Sequence, residues 1–273
     1  MNKEINEQDF AERSGYLRKN ILEMINEAGS GHSGGSLSCI DILNVLYNYK
    51  LRHDPTNPLW NGRDRFIMSK GHASPALYAV LADCGYFSKE EFHSFRKING
   101  LLQGHVSKDV PGVELSTGSL GQGLSVAAGI ALAGKMKREK FNVYVLLGDG
   151  EIQEGQIWES EMTAHQYNLN NLCVILDSNG LQENGLIEEL MKEEPIRDKI
   201  KSFGWNYFDI NGHDFEEIKI ALDEFENTKS RPTFIRARTI KGKGVSFMEN
   251  NPKWHGKAPS NEELKTALKE LGF

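Results

Sequence analysis

The chain is poor in cysteine, in positive charge and in long apolar runs. Its three cysteines, Cys39, Cys84 and Cys173, stand far apart among 273 residues, which excludes a disulfide framework and the paired spacing of a zinc site. They read as packed thiols. Nowhere do eighteen apolar residues follow one another, so no membrane-spanning helix is expected. The first residues, Met1-Asn2-Lys3-Glu4-Ile5-Asn6-Glu7, hold no apolar stretch of the kind a signal peptide needs, and the expected compartment is the cytoplasm. The 32 Lys and Arg are outnumbered by 38 Asp and Glu, for a net charge of −6. The basic residues are scattered rather than striped, which argues against a nucleic-acid partner. With no repeat, low-complexity tract or linker, residues 1–273 are expected to form a single domain.

What is present is glycine in informative places. Val143 to Leu147 is a short apolar stretch of the kind buried on both faces of a parallel sheet, and it runs into Gly148-Asp149-Gly150-Glu151. A helical pattern follows from about Gln153, with Trp158, Met162, His165 and Leu169 on one face. A second apolar strand, Leu172 to Leu176, then leads to Asp177-Ser178-Asn179-Gly180-Leu181. Either glycine corner alone is an ordinary turn. Two of them at the strand ends of one βαβ unit read as a metal-diphosphate cradle of the thiamine diphosphate type, because parallel sheets bind ligands beyond the carboxyl ends of their strands. Mg²⁺ takes oxygen ligands and shares them with phosphate. Asp149, the amide oxygen of Asn179 and the carbonyl of Leu181 can supply them.

Of the eight histidines, five touch a glycine: His32, His72, His105, His213 and His255. Ordinary glycine usage would give roughly one or two. Such pairs suit loops where backbone passes close to a ligand and an imidazole moves protons. His53, His93 and His165 read as solvated, and His213 as a turn or helix-cap residue.

The remaining pattern predicts helices over 8–27, 38–48, 74–85 and 215–226, and strands over 205–210 and 233–237. From Leu120 to Met136 a helix rich in Ala, Gly and Ser allows close approach of a neighbour, whether core or subunit interface. Gly185 to Asp198 reads as a charged surface excursion near the mouth of the site, and Ser260-Asn261-Glu262-Glu263 as a capped helix start. The expected fold is α/β: a three-layer α/β/α sandwich on a mainly parallel sheet.

Eight segments in order resemble the thiamine diphosphate-binding part of the transketolases. They are Ser30 to Gly35, Asp64 to Ala73, Gln103 to His105, Thr117 to Gly123, Gly148 to Glu151, Asp177 to Leu181, Lys241 to Gly244 and Trp254 to Lys257. The resemblance implies the diphosphate-binding domain of that family, with Asp149, Asn179 and Leu181 on Mg²⁺, for which Ca²⁺ or Mn²⁺ can substitute. It implies that Gly150, Lys70, His72, Lys241 and His255 face the diphosphate, and that Gly118, Ser119 and Leu120 approach the aminopyrimidine. His32, His72, His105 and His255 would bind the donor ketose and move protons. Glu154 and Glu159 would face the neighbouring site of the family dimer, with a solvated helix carboxylate as the alternative for Glu159. Ser33 stands where many relatives have proline.

The larger departure is that the family's pyrimidine-binding and C-terminal domains have no counterpart before Phe273. The resemblance therefore implies half of a split enzyme, completed by a chain carrying the pyrimidine-binding domain in an α2β2 assembly. Such an enzyme transfers a two-carbon ketol unit from a ketose, usually phosphorylated, to an aldose; pentose phosphates are the default donors, and a sulfonated or branched sugar is equally compatible with these motifs. Two alternatives stand beside it. A subunit of another thiamine diphosphate enzyme would share the Gly-Asp-Gly corner without the four histidines. A non-catalytic diphosphate-binding paralogue would be expected to have lost some of these residues.

Overall fold

The computed structural model describes residues 6–273; the amino-terminal reading therefore rests mostly on residues outside the described ones. Five strands pair in the order β1-β2-β3-β7-β6, all parallel. They are β1 (Arg65–Met68), β2 (Val143–Gly148), β3 (Leu172–Ser178), β6 (Asn206–Asn211) and β7 (Thr233–Arg238). A small antiparallel hairpin, β4 (Leu181–Gln182) and β5 (Gly185–Leu186), follows the end of β3 and leads into the single turn of α7 (Ile187–Leu190). Alternation along the strands builds two cores. Phe66, Tyr144, Leu146 and Ile175 face one way with α1 (Glu7–Ala28), α3 (Ile40–Val45), α4 (Ser74–Asp83) and α9 (Phe215–Asn227). Ile67, Val145, Leu147 and Val174 face the other, with α5 (Gln122–Met136), α6 (Gly155–Gln166) and α8 (Ile196–Ser202). The three layers follow from that period of two.

Several expectations need correction. Arg65–Met68 is a strand that the pattern did not mark, because four residues flanked by charge carry little periodicity. The helix expected over 38–48 is three pieces: α2 (Ser33–Ser38), α3, and a π-turn over Leu46–Lys50. Of the two roles open to His213, it takes the turn before α9, and the cap is Asp214, accepting from the N–H groups of Glu216 and Glu217. His53 is bonded to Tyr86 and to the Tyr47 carbonyl rather than solvated. The expected capping box at Ser260 is present, and α10 (Asn261–Glu270) follows it.

The inward face of α6 also differs from the expected one. A 3-10 turn over Gly150–Gln153 delays the helix to Gly155, so that Ile157, Ser160, Glu161 and Ala164 point inward while Met162 and His165 are exposed. Glu161 is fully buried and neither carboxyl oxygen has a hydrogen-bond partner among the described residues. Burial pushes its pKa up to about 8. An acid raised in this way costs nothing below its unfolded value of 4.5, where both states hold the proton. Above that value folding must take up a proton, at roughly 1.4 kcal/mol per pH unit until the folded pKa is passed. Glu161→Met should therefore gain little at pH 4 and about 3 kcal/mol at pH 7 over the parent in urea denaturation. A gain of equal size at both pH values would show that the carboxyl is not protonated in the fold.

Candidate active site

The carboxyl ends of β1, β2, β3 and β7 deliver Lys70, Asp149, Asn179 and Lys241 to one cleft of about 290 Å³. The corner after β2 is fixed from below by Glu151, which is 1% exposed. Its carboxylate accepts from the N–H groups of Gly148 (3.1 Å) and Gly121 (3.0 Å) and from the Ser69 hydroxyl. Asp149, 2% exposed, accepts the Gly180 N–H at 2.5 Å on Oδ2, while Oδ1 has no partner among the described residues. Burial first and the Asp177 charge second push its pKa up to about 7. A buried carboxylate with a free oxygen, beside the Asn179 amide and the Leu181 carbonyl, is a hard-oxygen donor set that fits a divalent cation. Among the described residues no three His, Cys, Asp or Glu side chains are grouped as metal ligands; this set, with one carboxylate, does not need such a group. The Asn179 oxygen at present accepts the Leu181 N–H at 3.2 Å.

The two lysines differ. Lys70 is ion-paired to Asp177 and donates to the Gly35 carbonyl at 3.0 Å. Burial opposes its charge, but Asp177 outweighs burial and holds the pKa above normal. Asp177 accepts further bonds from Ser38 (2.6 Å) and Thr239. Lys241, equally buried, has the Nδ1 atom of His255 as its partner at 2.9 Å. Burial and then the Lys70 charge bring its pKa down to about 8.

Above the lysines four imidazoles converge. The His32 ring centroid lies 5.1 Å from that of His72, 5.9 Å from His105 and 5.4 Å from His255, and His72 lies 5.2 Å from His255. Burial is the main cause that lowers all four pKa values, to about 4 for His32 and about 3 for His255, with nearby cations adding to it. All four are neutral near pH 7. Each can then donate from one ring nitrogen and accept on the other. The Nδ1 atom of His32 is buried without a partner among the described residues.

His72, Leu120, Gly150, Leu181 and His255 line the cleft, whereas His32 and His105 reach it through the imidazole cluster. Gly118 sits under His105: a Cβ there would meet the ring at 3.0 Å, and φ is +153°, so glycine is required for the approach. Ser119 is exposed and outside the cleft. Glu154 is exposed at the start of α6, over Gly121, and does not line the cleft. Glu159 opens on a groove between α5 and α6. Sequence reasoning missed Asp177 and Glu151, although both stand inside the quoted motifs, and also Gln182, Glu183 and Asn184 on the wall. It also missed Glu193, 7% exposed, whose pKa burial and then Asp149 push up to about 8.

Lys70→Met leaves Asp177 buried with hydroxyl donors but no cation. The expected cost is about 3–5 kcal/mol in urea denaturation at pH 7, partly recovered in the Lys70→Met/Asp177→Asn double variant. A loss below about 1 kcal/mol would mean that Asp177 is not ionised in the fold.

Residues 12–273 match the family described as "Transketolase, thiamine diphosphate binding domain". The chain is 42% identical over 254 residues to an apulose-4-phosphate transketolase subunit of Phocaeicola vulgatus, covering 93% of this chain and 90% of that one. It is 40% identical over 264 residues to the 6-deoxy-6-sulfo-D-fructose transketolase subunit SqwG of Clostridium sp. (strain MSTE9), covering 96% of each. With Homo sapiens transketolase the identity is 37% over 268 residues, 97% of this chain and 42% of that one. The solved transketolase of Campylobacter jejuni superposes with a TM-score of 0.93 at 35% identity, over 98% of this chain and 43% of that one. The chain thus spans less than half the length of these last two transketolases and nearly all of the two subunits. With that coverage, and with a diphosphate-type corner at the carboxyl ends of its strands, the chain belongs to the transketolase family and carries its thiamine diphosphate-binding domain.

Proposed function

We propose that the chain is the cofactor-holding subunit of a two-chain transketolase that moves a two-carbon ketol unit from a ketose to an aldose. The observation that carries this reading is the cluster of four neutral imidazoles directly above a cradle of oxygen ligands and lysines. The thiazolium ring, when bound, supplies the carbanion chemistry; the chain's own residues bind, orient and move protons. Asp149, Asn179 and the Leu181 carbonyl would hold Mg²⁺, while the Gly150 N–H, Lys70 and Lys241 would meet the diphosphate. Gly118, Ser119 and Leu120 would meet the aminopyrimidine with their backbone.

Breaking the C2–C3 bond of a ketose turns the C3 hydroxyl into an aldehyde and releases its proton. A neutral imidazole can accept that proton, and return it to the aldehyde oxygen of the acceptor when the new bond forms. A protonated histidine could not perform the first task. His32, with its free Nδ1, and His105 at the rim are the candidates for this transfer, and His72 and His255 for holding donor hydroxyls. Glu154, outside the cleft, is assigned to the contact with a neighbouring protomer.

Two relatives named as transketolase subunits, matched along nearly their full length, support a partner chain bearing the pyrimidine-binding domain. An α2β2 assembly is the symmetric arrangement. Those two relatives are named for different sugars, so the donor's terminal group is assigned to contacts with the partner chain. Among the described residues no helix is long and apolar enough to cross a membrane. Three free cysteines support a reducing, cytoplasmic setting.

The assembled complex should bind thiamine diphosphate only with a divalent cation. Asp149→Ala should abolish that metal-dependent binding in titration calorimetry; unchanged metal-dependent binding would displace the cradle. His32→Ala should bind cofactor normally and lose on the order of 10²–10⁴ in kcat. Full turnover by that variant would remove His32 from proton transfer. This chain alone, with cofactor and Mg²⁺, should show no turnover.

A further inference from the structure

Outside the cleft, a buried charged network grips the loop that bears Lys241 from both sides. Arg18 of α1 makes a two-pronged pair with Asp41 of α3, at 3.0 and 2.7 Å. The two residues are 7% and 3% exposed. Asp41 also accepts from Nδ1 of His213 at 2.7 Å. Nε2 of His213 accepts the backbone N–H of Ile240 at 2.9 Å, which leaves Nδ1 as the donor to Asp41. Arg18 closes the circuit by donating Nε to the Lys243 carbonyl at 3.0 Å. The N–H just before Lys241 and the carbonyl two residues after it are thus both held by the same network. Burial alone would raise the Asp41 pKa, but Arg18 and His213 outweigh it and keep the carboxyl well below the usual range. Asp41 therefore faces Arg18 and His213 as a carboxylate.

Other bonds also tie the loop. Thr239 donates its N–H to the Ser178 carbonyl at 3.0 Å and its hydroxyl to Asp177, Gly242 donates to the Gly34 carbonyl at 3.0 Å, Gly244 donates its N–H to Glu249 at 3.0 Å, and the Lys241 carbonyl accepts from Asn250 at 2.9 Å. None of these touches the Lys241 side chain, which is buried, lacks a carboxylate partner among the described residues and leans on His255. An ammonium in that state would turn away toward solvent if its backbone were free to rotate. We infer that His213, acting through Asp41 and Arg18, is a positioning residue that fixes the backbone of Lys241 so that its ammonium faces the diphosphate side of the cleft. This deepens the proposed function and rests on it for the identity of the ligand, but not for the coupling between His213 and the loop.

The test uses the intact chain with His213→Ala and His213→Gln. A glutamine can accept from Ile240 with its amide oxygen and donate to Asp41 with its amide nitrogen, so it should restore what alanine removes. Two readouts are compared: amide hydrogen exchange of the 239–244 segment, and the affinity for inorganic pyrophosphate with Mg²⁺ by titration calorimetry. Partners that orient a ligating group are worth about 10- to 100-fold in affinity. His213→Ala should speed exchange in 239–244 while β2 and α5 keep their protection, and weaken pyrophosphate at least tenfold; His213→Gln should recover both. Unchanged exchange in His213→Ala, or faster exchange with undiminished pyrophosphate affinity, overturns the inference. So does a general rise in exchange that glutamine fails to reverse, since that describes a folding residue only. Should the parent chain fail to bind pyrophosphate, the proposed function loses its ligand, and the exchange data still decide whether His213 holds the loop.

Discussion

The fully buried carboxylate of Asp177 is the interaction on which the site depends. It stands at the end of β3 and binds Lys70 beyond β1, Ser38 at the end of α2 and Thr239 beyond β7. Four chain segments that are distant in sequence are thereby tied at the carboxyl edge of the sheet. A carboxylate without water is tolerated only when its partners are in place, so the position of each segment is fixed by the same requirement. Glu151 repeats the device on the other side of the corner, bridging Ser69 and the backbone of Gly121 and Gly148. The cleft is thus held open by charge that is satisfied behind it, and Asp149, with its free oxygen, is left to face forward.

The same exclusion of water sets the protonation of the histidines. Four rings within 6 Å of one another along the contacts of His32, close to Lys70 and Lys241, cannot share positive charge at low dielectric. They stay neutral, and the lysines carry the cationic character of the cleft. Hydrogen bonding and charge compensation are divided between two residue types, and neither needs to change state for the other to act.

The sheet was legible where strands are apolar on both faces. Val143 to Leu147 and Leu172 to Leu176 announce themselves, and the glycine corners after them place Asp149 and Asn179 without any structure. Arg65–Met68 is hidden because its ends are charged and it is short. Its motif, ending in Ser69-Lys70-Gly71-His72, marked the site but not the strand. The face of α6 was lost to a 3-10 turn that shifts the helical phase, and to Glu161, a charged residue where an apolar one was expected. Asp177 was passed over for a different reason. It ends a strand, and nothing in a pattern of residue types distinguishes a carboxylate that faces inward to a lysine more than a hundred residues away from one that faces solvent.

Lys70 and Lys241 show why a motif names residues without naming their physics. Both are lysines beside a glycine at a strand end, and both are 2% exposed. Lys70 is held by its side chain, through Asp177, and its ammonium is committed to that pair before any ligand arrives. Lys241 has no carboxylate anchor among the described residues; burial and then the Lys70 charge leave its pKa lowered, and its ammonium is bonded only to the imidazole of His255, which is the state that gains most from an incoming anion. A carboxylate placed beside it would stabilise the fold and remove that gain. Holding the backbone instead of the side chain avoids the conflict: the negative charge of Asp41 is consumed by Arg18 and His213 at a distance, and only hydrogen bonds reach the loop. The cleft can in this way keep one lysine for structure and one for its ligand, although the sequence writes them alike.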